Sequence, residues 1–414
     1  MLRAWGAVAA AAAMTMACGG NSTGSGGNPD GGAGTGGFGA FGGTGATGGV
    51  GATGGTGATG GTGATGGFGG VGGTAGLGGA GGAGGVGGAG GTGGSTEQPP
   101  TAHPPPDPGG PPAGGTQVSA LVVQKLFLGD TDRQLLSDPN AWKTYGYDLD
   151  GHFSNKNSTA HCTPAKGANP ASVKTDGNGG VDNSFGANIV PILKSFTSSP
   201  TADIISSIQD GNGTMLFRFV GLATGPNQSP LTAGFLNAAP FSGTPAWNGS
   251  DAWPITAESV NGSAAQPKVT LASYVSGGTW VGHASGPIAA DLQVFGSSWP
   301  LTIHQGLITA DISGSGTAMV GTNGIIAGVL DTEELIQALK KVAGAFDPNL
   351  CNGATFDSIA QQFRAASDIM KDGSNGDPSL TCDGISVGFG FESIAANVGS
   401  VAAPVPPVPD PCVN

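Results

Sequence analysis

The chain has 414 residues, 82 of them glycine and 29 proline, and carries 27 acidic against 14 basic side chains for a formal net charge of −13. An acidic excess without a basic cluster argues against nucleic acid as a partner. So much glycine excludes one continuous packed core over the whole length, because glycine buries no side chain to offset the entropy of ordering its backbone.

Residues 1–17 read as a signal peptide. Arg3 supplies the charged end, residues 4–14 an alanine-rich apolar core too short to span a bilayer, and Thr15, Met16 and Ala17 lead into Cys18. With Ala17 before the cysteine and Gly19 behind it, residues 1–19 resemble the start of bacterial lipoproteins. The resemblance implies lipidation at Cys18, anchoring in a membrane, and, from Gly19 in place of aspartate, sorting to the outer membrane or cell surface. Thr15 stands where the family usually has leucine. The same tripeptide suits an ordinary signal peptidase, which would leave a secreted chain with an unlipidated Cys18.

Residues 18–97 form a glycine-rich tract that reads as a disordered tether, spanning roughly 50 Å as a flexible coil. Gly-Ala-Thr recurs at 45, 51, 57 and 63. The run from Gly43 to Gly48 matches a dinucleotide-binding pattern letter for letter, but no strand feeds it and no helix follows, so it carries no nucleotide chemistry. Residues 98–116 are proline-rich and predict a stiff, polyproline-like stem that holds the remainder away from a surface.

Residues 117–414 are expected to form one exported globular domain. Its N-terminal part concentrates oxygen ligands, with Asp148 and Asp150 before Gly151, then Asp176, Asn178 and Asp182 on glycine-rich turns. Calcium is the expected ion, since it takes six to eight oxygens from such loops; plain Asx turns are the competing reading. No bidentate glutamate follows at EF-hand spacing. His152 and His161 lie close enough in sequence to suggest a transition-metal alternative with Asp148 and Asp150.

Alternation predicts strands at 214–222, 269–275, 289–295, 301–312, 325–330 and 385–391. In the last, Ile385, Val387, Phe389 and Phe391 alternate with Ser386, Gly388 and Gly390. Asp331 and Glu334 make a capping box for a helix that Gly344 is expected to end, and Thr355 is expected to cap a second helix reaching Met370. Shorter helices are expected over 189–196 and 202–209. The fold class is mainly β with peripheral helices (α+β), a β-sandwich or jelly roll.

Four cysteines remain after Cys18, and an even count in an exported chain reads as two disulfides with three pairings open. The expected pairs are Cys351 with Cys382, bracketing a helix, and Cys162 with Cys412. Trp142, Trp247, Trp253, Trp280 and Trp299 are candidates for stacking on sugar rings, with core packing as the alternative. Glu258, Asp291, Asp311 and Glu392 are the carboxylates a glycoside hydrolase would draw on, yet no serine elbow, zinc-protease helix or phosphate loop occurs in the domain. The chain therefore reads as a tethered binding or adhesion protein for a surface glycan or polymer, more a binder than an enzyme. A structural envelope protein and a carbohydrate-active hydrolase are the alternatives.

Overall fold

The computed structural model describes residues 97–414, apart from Pro111, Ala113, Phe196, Phe295, Gly296, Pro407, Val408 and Asn414. The expected signal peptide, Cys18 and the expected tether up to residue 96 lie outside the described residues. Ten strands run in chain order: β1 (Val118–Phe127), β2 (Met215–Val220), β3 (Gln228–Asn237), β4 (Ala252–Ile255), β5 (Val269–Ser276), β6 (Thr279–Ala284), β7 (Ile288–Val294), β8 (Ser297–Ser313), β9 (Val320–Asp331) and β10 (Gly384–Val401). Eight of them pair antiparallel in the order β1-β2-β3-β5-β6-β8-β9-β10. β10 then returns to β1, from Ala120 opposite Ala396 to Phe127 opposite Gly390.

That last pairing closes the sheet into a barrel, which corrects the expectation of a sandwich or jelly roll. Inward-outward alternation is the same in both architectures; only the meeting of the first and last strands separates them. β4 adds in parallel to the outside of β10, and β7 extends the long β8 as a hairpin.

The alternation in β10 does what its pattern predicts. Ile385, Val387, Phe389 and Phe391 join the main core with Leu121, Phe217, Phe219, Trp280 and Ile326. Phe217 lies 5.2 Å from Phe391 and 5.1 Å from Trp280 between ring centroids, and Phe219 meets Trp280 edge-on at 4.9 Å. An eight-stranded barrel is just wide enough for such side chains to fill it.

The outward residues of β10 are small because another segment lies on them. A β-carbon on Gly388 would come within 2.0 Å of the Tyr145 carbonyl oxygen, and one on Gly390 within 2.7 Å of the Tyr145 ring. Tyr145 packs there against Phe127, Ile325 and Ala327. Arg133 fastens the same segment, donating to the carbonyls of Phe391 (3.0 Å) and Gly324 (2.9 Å) and to Glu392 Oε1 (2.9 Å). Elsewhere on the outer wall, Trp253 of β4 covers Val122, Leu216 and Leu236.

Among the described residues, five α-helices accompany the barrel: α1 (Pro170–Val173), α2 (Val190–Leu193), α3 (Pro200–Gln209), α4 (Thr332–Phe346) and α5 (Ala354–Ala365). A π-helical turn, Phe185–Ile189, leads into α2 and sets Phe185 edge-on to Phe389 at 5.3 Å. Asp331 caps α4 as expected, its Oδ1 accepting from the N–H groups of Glu333 and Glu334. The helix runs through Gly344 instead of ending there. A β-carbon at that position would meet the sulfurs of Cys412 at 2.4 Å and Cys351 at 2.5 Å, so the glycine makes room for a crosslink. Thr355 sits inside α5, whose N-cap is Gly353, and Met370 lies beyond its end.

The disulfides are Cys162–Cys382 and Cys351–Cys412, at Cα separations of 5.2 and 5.1 Å. Both expected pairings are thereby corrected. Cys351 follows α4 on the face that meets the C-terminal tail, while Cys382 precedes β10 beside the 160s loop, where the Thr163 N–H donates to the Leu380 carbonyl and the Thr163 carbonyl accepts from the Cys382 N–H.

The proline-rich stem is not a free spacer along its first part. Thr101 and Ala102 donate to the Gly179 carbonyl (2.7 and 3.0 Å), Pro105 accepts from the Tyr274 hydroxyl (2.7 Å), and Asp107 accepts from Ser229 (2.8 Å). Residues 97–107 thus form a strap along the barrel. Proline's fixed φ and missing N–H suit an extended strap as well as a stem, so composition alone does not distinguish them.

Candidate metal centre

The long connection between β1 and β2 and the connection between α5 and β10 meet beside the strap. From the first come Asp148, Asp150, His152, Ser154, His161, Asp176 and Asp182; from the second come Asp368 and Asn375; the strap adds Glu97 and His103. Local turn chemistry sets the aspartates. Asp148 Oδ1 accepts from the Gly151 N–H and Asp150 Oδ1 from the His152 N–H, both at 2.8 Å, the second as an Asx turn, so each braces its own loop as well as being a candidate ligand.

Asp148, Asp150 and Asp182 each offer an oxygen within 4.8 Å of the other two. Asp182 is buried, and its Oδ2 accepts from the Leu149 N–H at 2.7 Å. Asn375 donates to Asp150 Oδ2 at 2.6 Å, and His103 Nδ1 lies 3.4 Å from Asp148 Oδ2. Asp176, held by the Ser154 N–H, lines with Asp182, Asp368 and His161 a cavity of about 10 Å³, about the room for one water-sized sphere.

Burial and crowding hold protons on these carboxyls. Asp176 is pushed up to about 8, by burial first and then by the charges of Asp150, Asp368 and Asp148. Asp368 is pushed up to about 7 by burial, against two hydrogen bonds from Ser386. Asp182 rises well above the ordinary carboxylate range through burial and the charges of Asp150, Asp176 and Asp368. Several carboxyls with elevated pKa values around one point are what a bound divalent cation would relieve.

A second set of donors adjoins the first. Glu97 Oε1 lies 2.9 Å from His161 Nε2, and Glu97 Oε2 lies 3.5 Å from His152 Nδ1. The two imidazoles meet edge-on with centroids 4.6 Å apart. Burial raises the Glu97 carboxyl, but hydrogen bonds from Ser158 and His161 and the charges of both histidines outweigh it and hold the group below its usual value.

Of the five expected ligands, Asp148, Asp150, Asp176 and Asp182 converge, while Asn178 is exposed and its N–H serves the Lys143 carbonyl at 2.9 Å. Glu97, Asp368 and Asn375 are additions that sequence reasoning missed. The signal for the last two was Cys382, whose bond to Cys162 draws their loop to the acidic segment.

The tryptophans do not form a stacking platform. Trp253 and Trp280 are 0 % exposed and Trp299 is 1 % exposed, so no sugar ring reaches them. Trp247 is half-buried, packs 5.1 Å from Trp253 and donates to the Gln209 carbonyl; Trp142 carries Lys143 over its ring. Among the candidate hydrolytic carboxylates, Asp291 is bonded to Ser298, Asp311 to Thr279 and Asn323, and Glu392 to Arg133. Among the described residues, no helix is long and apolar enough to cross a membrane.

Fold and site together define a filled, closed antiparallel barrel with a carboxylate–imidazole cluster on its flank. No protein-family model, curated protein or solved structure matches the chain.

Proposed function

We propose that this is an exported, lipid-anchored surface protein whose barrel is a calcium-supported binding or adhesion domain for a surface polymer. The observation that carries the reading is the convergence of Asp148, Asp150 and Asp182, with Asp176 and Asp368 behind them, from two separate connections of the barrel. Such a set of carboxylates gains most from a hard divalent ion, and the ion would lock together loops that have little apolar core of their own. The anchoring rests on residues 1–19, as read from the sequence. With the indoles buried, a ligand would meet the outer surface. A groove of about 210 Å³ between β8 and α4, lined by Thr302, Leu330, Glu334 and Lys341 among others, offers a polymer both apolar and polar contacts.

Three measurements on the full-length protein test this. Intact mass should carry acyl chains on Cys18, and Cys18→Ser should move the protein from membranes to the aqueous phase. Calcium at a hundred times its dissociation constant should add about 2.7 kcal/mol of stability; melting that ignores both calcium and chelator reduces the aspartates to turn formers. A panel of envelope polysaccharides, scored for pull-down and for release of reducing ends, separates binder from hydrolase. Silence in both channels leaves a structural envelope protein, the reading that the buried tryptophans favour.

A further inference from the structure

Glu97, His152 and His161 are the only described group that brings two imidazoles and a carboxylate within 4.8 Å of one another. Their spacing is informative. A tetrahedral ion with ligand bonds of about 2.0–2.1 Å sets its donor atoms roughly 3.3 Å apart. Glu97 offers Oε1 to His161 Nε2 at 2.9 Å and Oε2 to His152 Nδ1 at 3.5 Å, and one donor atom from each of the three residues lies within 4.8 Å of the other two, near enough for one ion to draw them to that edge length. The longer of the two Glu97–histidine separations is beyond a good hydrogen bond, so His152 does not stand beside Glu97 merely as its donor.

The surroundings of His161 point the same way. It is 3 % exposed, and its Nδ1 has no hydrogen-bond partner among the described residues. A metal-bound histidine normally gives its other N–H to a carboxylate, a carbonyl or a water. His161 also lines the cavity that Asp176, Asp182 and Asp368 line, which has room for about one water, and a water there would be the partner for Nδ1–H that the ring lacks. Ser154 Oγ lies 3.2 Å from Nε2, a contact that the ion would replace. Two neutral imidazoles with one carboxylate are borderline donors that suit zinc and its first-row neighbours and not calcium, which takes oxygen.

We propose that Glu97, His152 and His161 bind one first-row divalent transition-metal ion, zinc above all, and that the ion clamps the strap to the β1–β2 connection at the point where the chain enters the domain. Three protein ligands leave a fourth position to solvent. The site is separate from the aspartate cluster proposed for calcium: it shares no ligand with Asp148, Asp150 and Asp182, and the two stand or fall independently.

The test uses the full-length protein, stripped with chelator and reloaded with zinc or, as a visible probe, cobalt(II). Elemental analysis after dialysis should find one zinc per chain, and X-ray absorption at the zinc edge should count two imidazoles. Glu97→Gln and His152→Gln should each weaken zinc binding more than a hundredfold, while Asp357→Asn, at an exposed carboxylate on α5, leaves it unchanged. The wild-type absorption measurement keeps the test independent of whether a variant folds. Zinc lost on dialysis, coordination by oxygen alone, or unchanged affinity in both ligand variants overturns the proposal. Calcium binding without zinc binding would remove this site and leave the preceding reading intact.

Discussion

Cys162 and Cys382 are crosslinked at the wall of the aspartate-lined cavity, and Cys162 directly follows His161. The bond joins the β1–β2 connection to the entrance of β10. It also fixes Asn375, whose Oδ1 accepts from the Cys162 N–H at 2.9 Å while its Nδ2 serves Asp150. Imidazole, amide and carboxylate are therefore held in one frame by a covalent tie between segments 220 residues apart.

Non-reducing peptide mapping should recover Cys162–Cys382 and Cys351–Cys412 peptides. Chain-entropy arguments assign about 5 kcal/mol to the longer loop and about 4 kcal/mol to the shorter. Reduction should thus lower the melting temperature markedly. A Cys351–Cys382 peptide as the main product would show the arrangement to be wrong.

In chelator, stability should fall as pH rises from about 4 to about 8. Asp176 and Asp368 keep their protons in the folded state up to about 8 and about 7, whereas in the unfolded chain they lose them near 3.8. Over that window the native state binds more protons than the unfolded state, so the slope of stability with pH is negative. Calcium should flatten the slope, and Asp368→Asn should remove its share between about 4 and 7. A midpoint of urea unfolding that rises across the window would contradict the burial described for these groups.

Gly388→Ala should destabilise the barrel by about 1–3 kcal/mol, the usual cost of overpacking. The Tyr145 carbonyl that the new methyl would strike is held at 2.8 Å by Asn183 Nδ2 and has little freedom to retreat. Gly286→Ala, with nothing within 4 Å of the added carbon, is the control and should stay within about 0.5 kcal/mol of wild type. Equal melting of the two variants would mean that the Tyr145 segment does not lie on β10.

Arg133→Ala should cost roughly 2–4 kcal/mol, because it strands two carbonyls and the half-buried Glu392. Arg133→Lys should restore only a minor part, since an ammonium cannot fork across three acceptors. Its stacking over Tyr145 at 5.3 Å and Phe127 at 5.7 Å would go as well. Thermal melts of the two variants decide, and full rescue by lysine would reduce the residue to a point charge.

The strands most legible in the sequence were those whose large apolar side chains recur at every second residue, as Phe217 and Phe219 do in β2 and Phe389 and Phe391 in β10. β2 and β10 alternate visibly, and Asp331 announces α4. β1, a nearly unbroken apolar run whose two faces are both covered, lacks that signature, and β3 is interrupted by Pro230 and Gly234. Barrel closure depends on β1 meeting β10, a contact that local patterns do not encode. At the site, Asp148, Asp150, Asp176 and Asp182 stood out by composition. Glu97 did not, because it ends a glycine tract, and Asp368 did not, because it is an isolated carboxylate whose place depends on a disulfide partner.

The docked strap gives the molecule a mechanical order of failure. Among the described residues, tension from the N-terminal side meets the contacts of residues 97–107 one after another: Glu97 on His161, Thr101 on Gly179, His103 on Asp148, Pro105 on Tyr274 and Asp107 on Ser229. Contacts loaded in series open singly and at low force, whereas the ladders that join β1 to β2 and β10 must give way together. Peeling the strap would release roughly 70 Å of chain, at about 3.3 Å per residue from Glu97 to Val118, before the barrel bears any load. A sharp tug on such a protein would be absorbed as added length, with the barrel still closed.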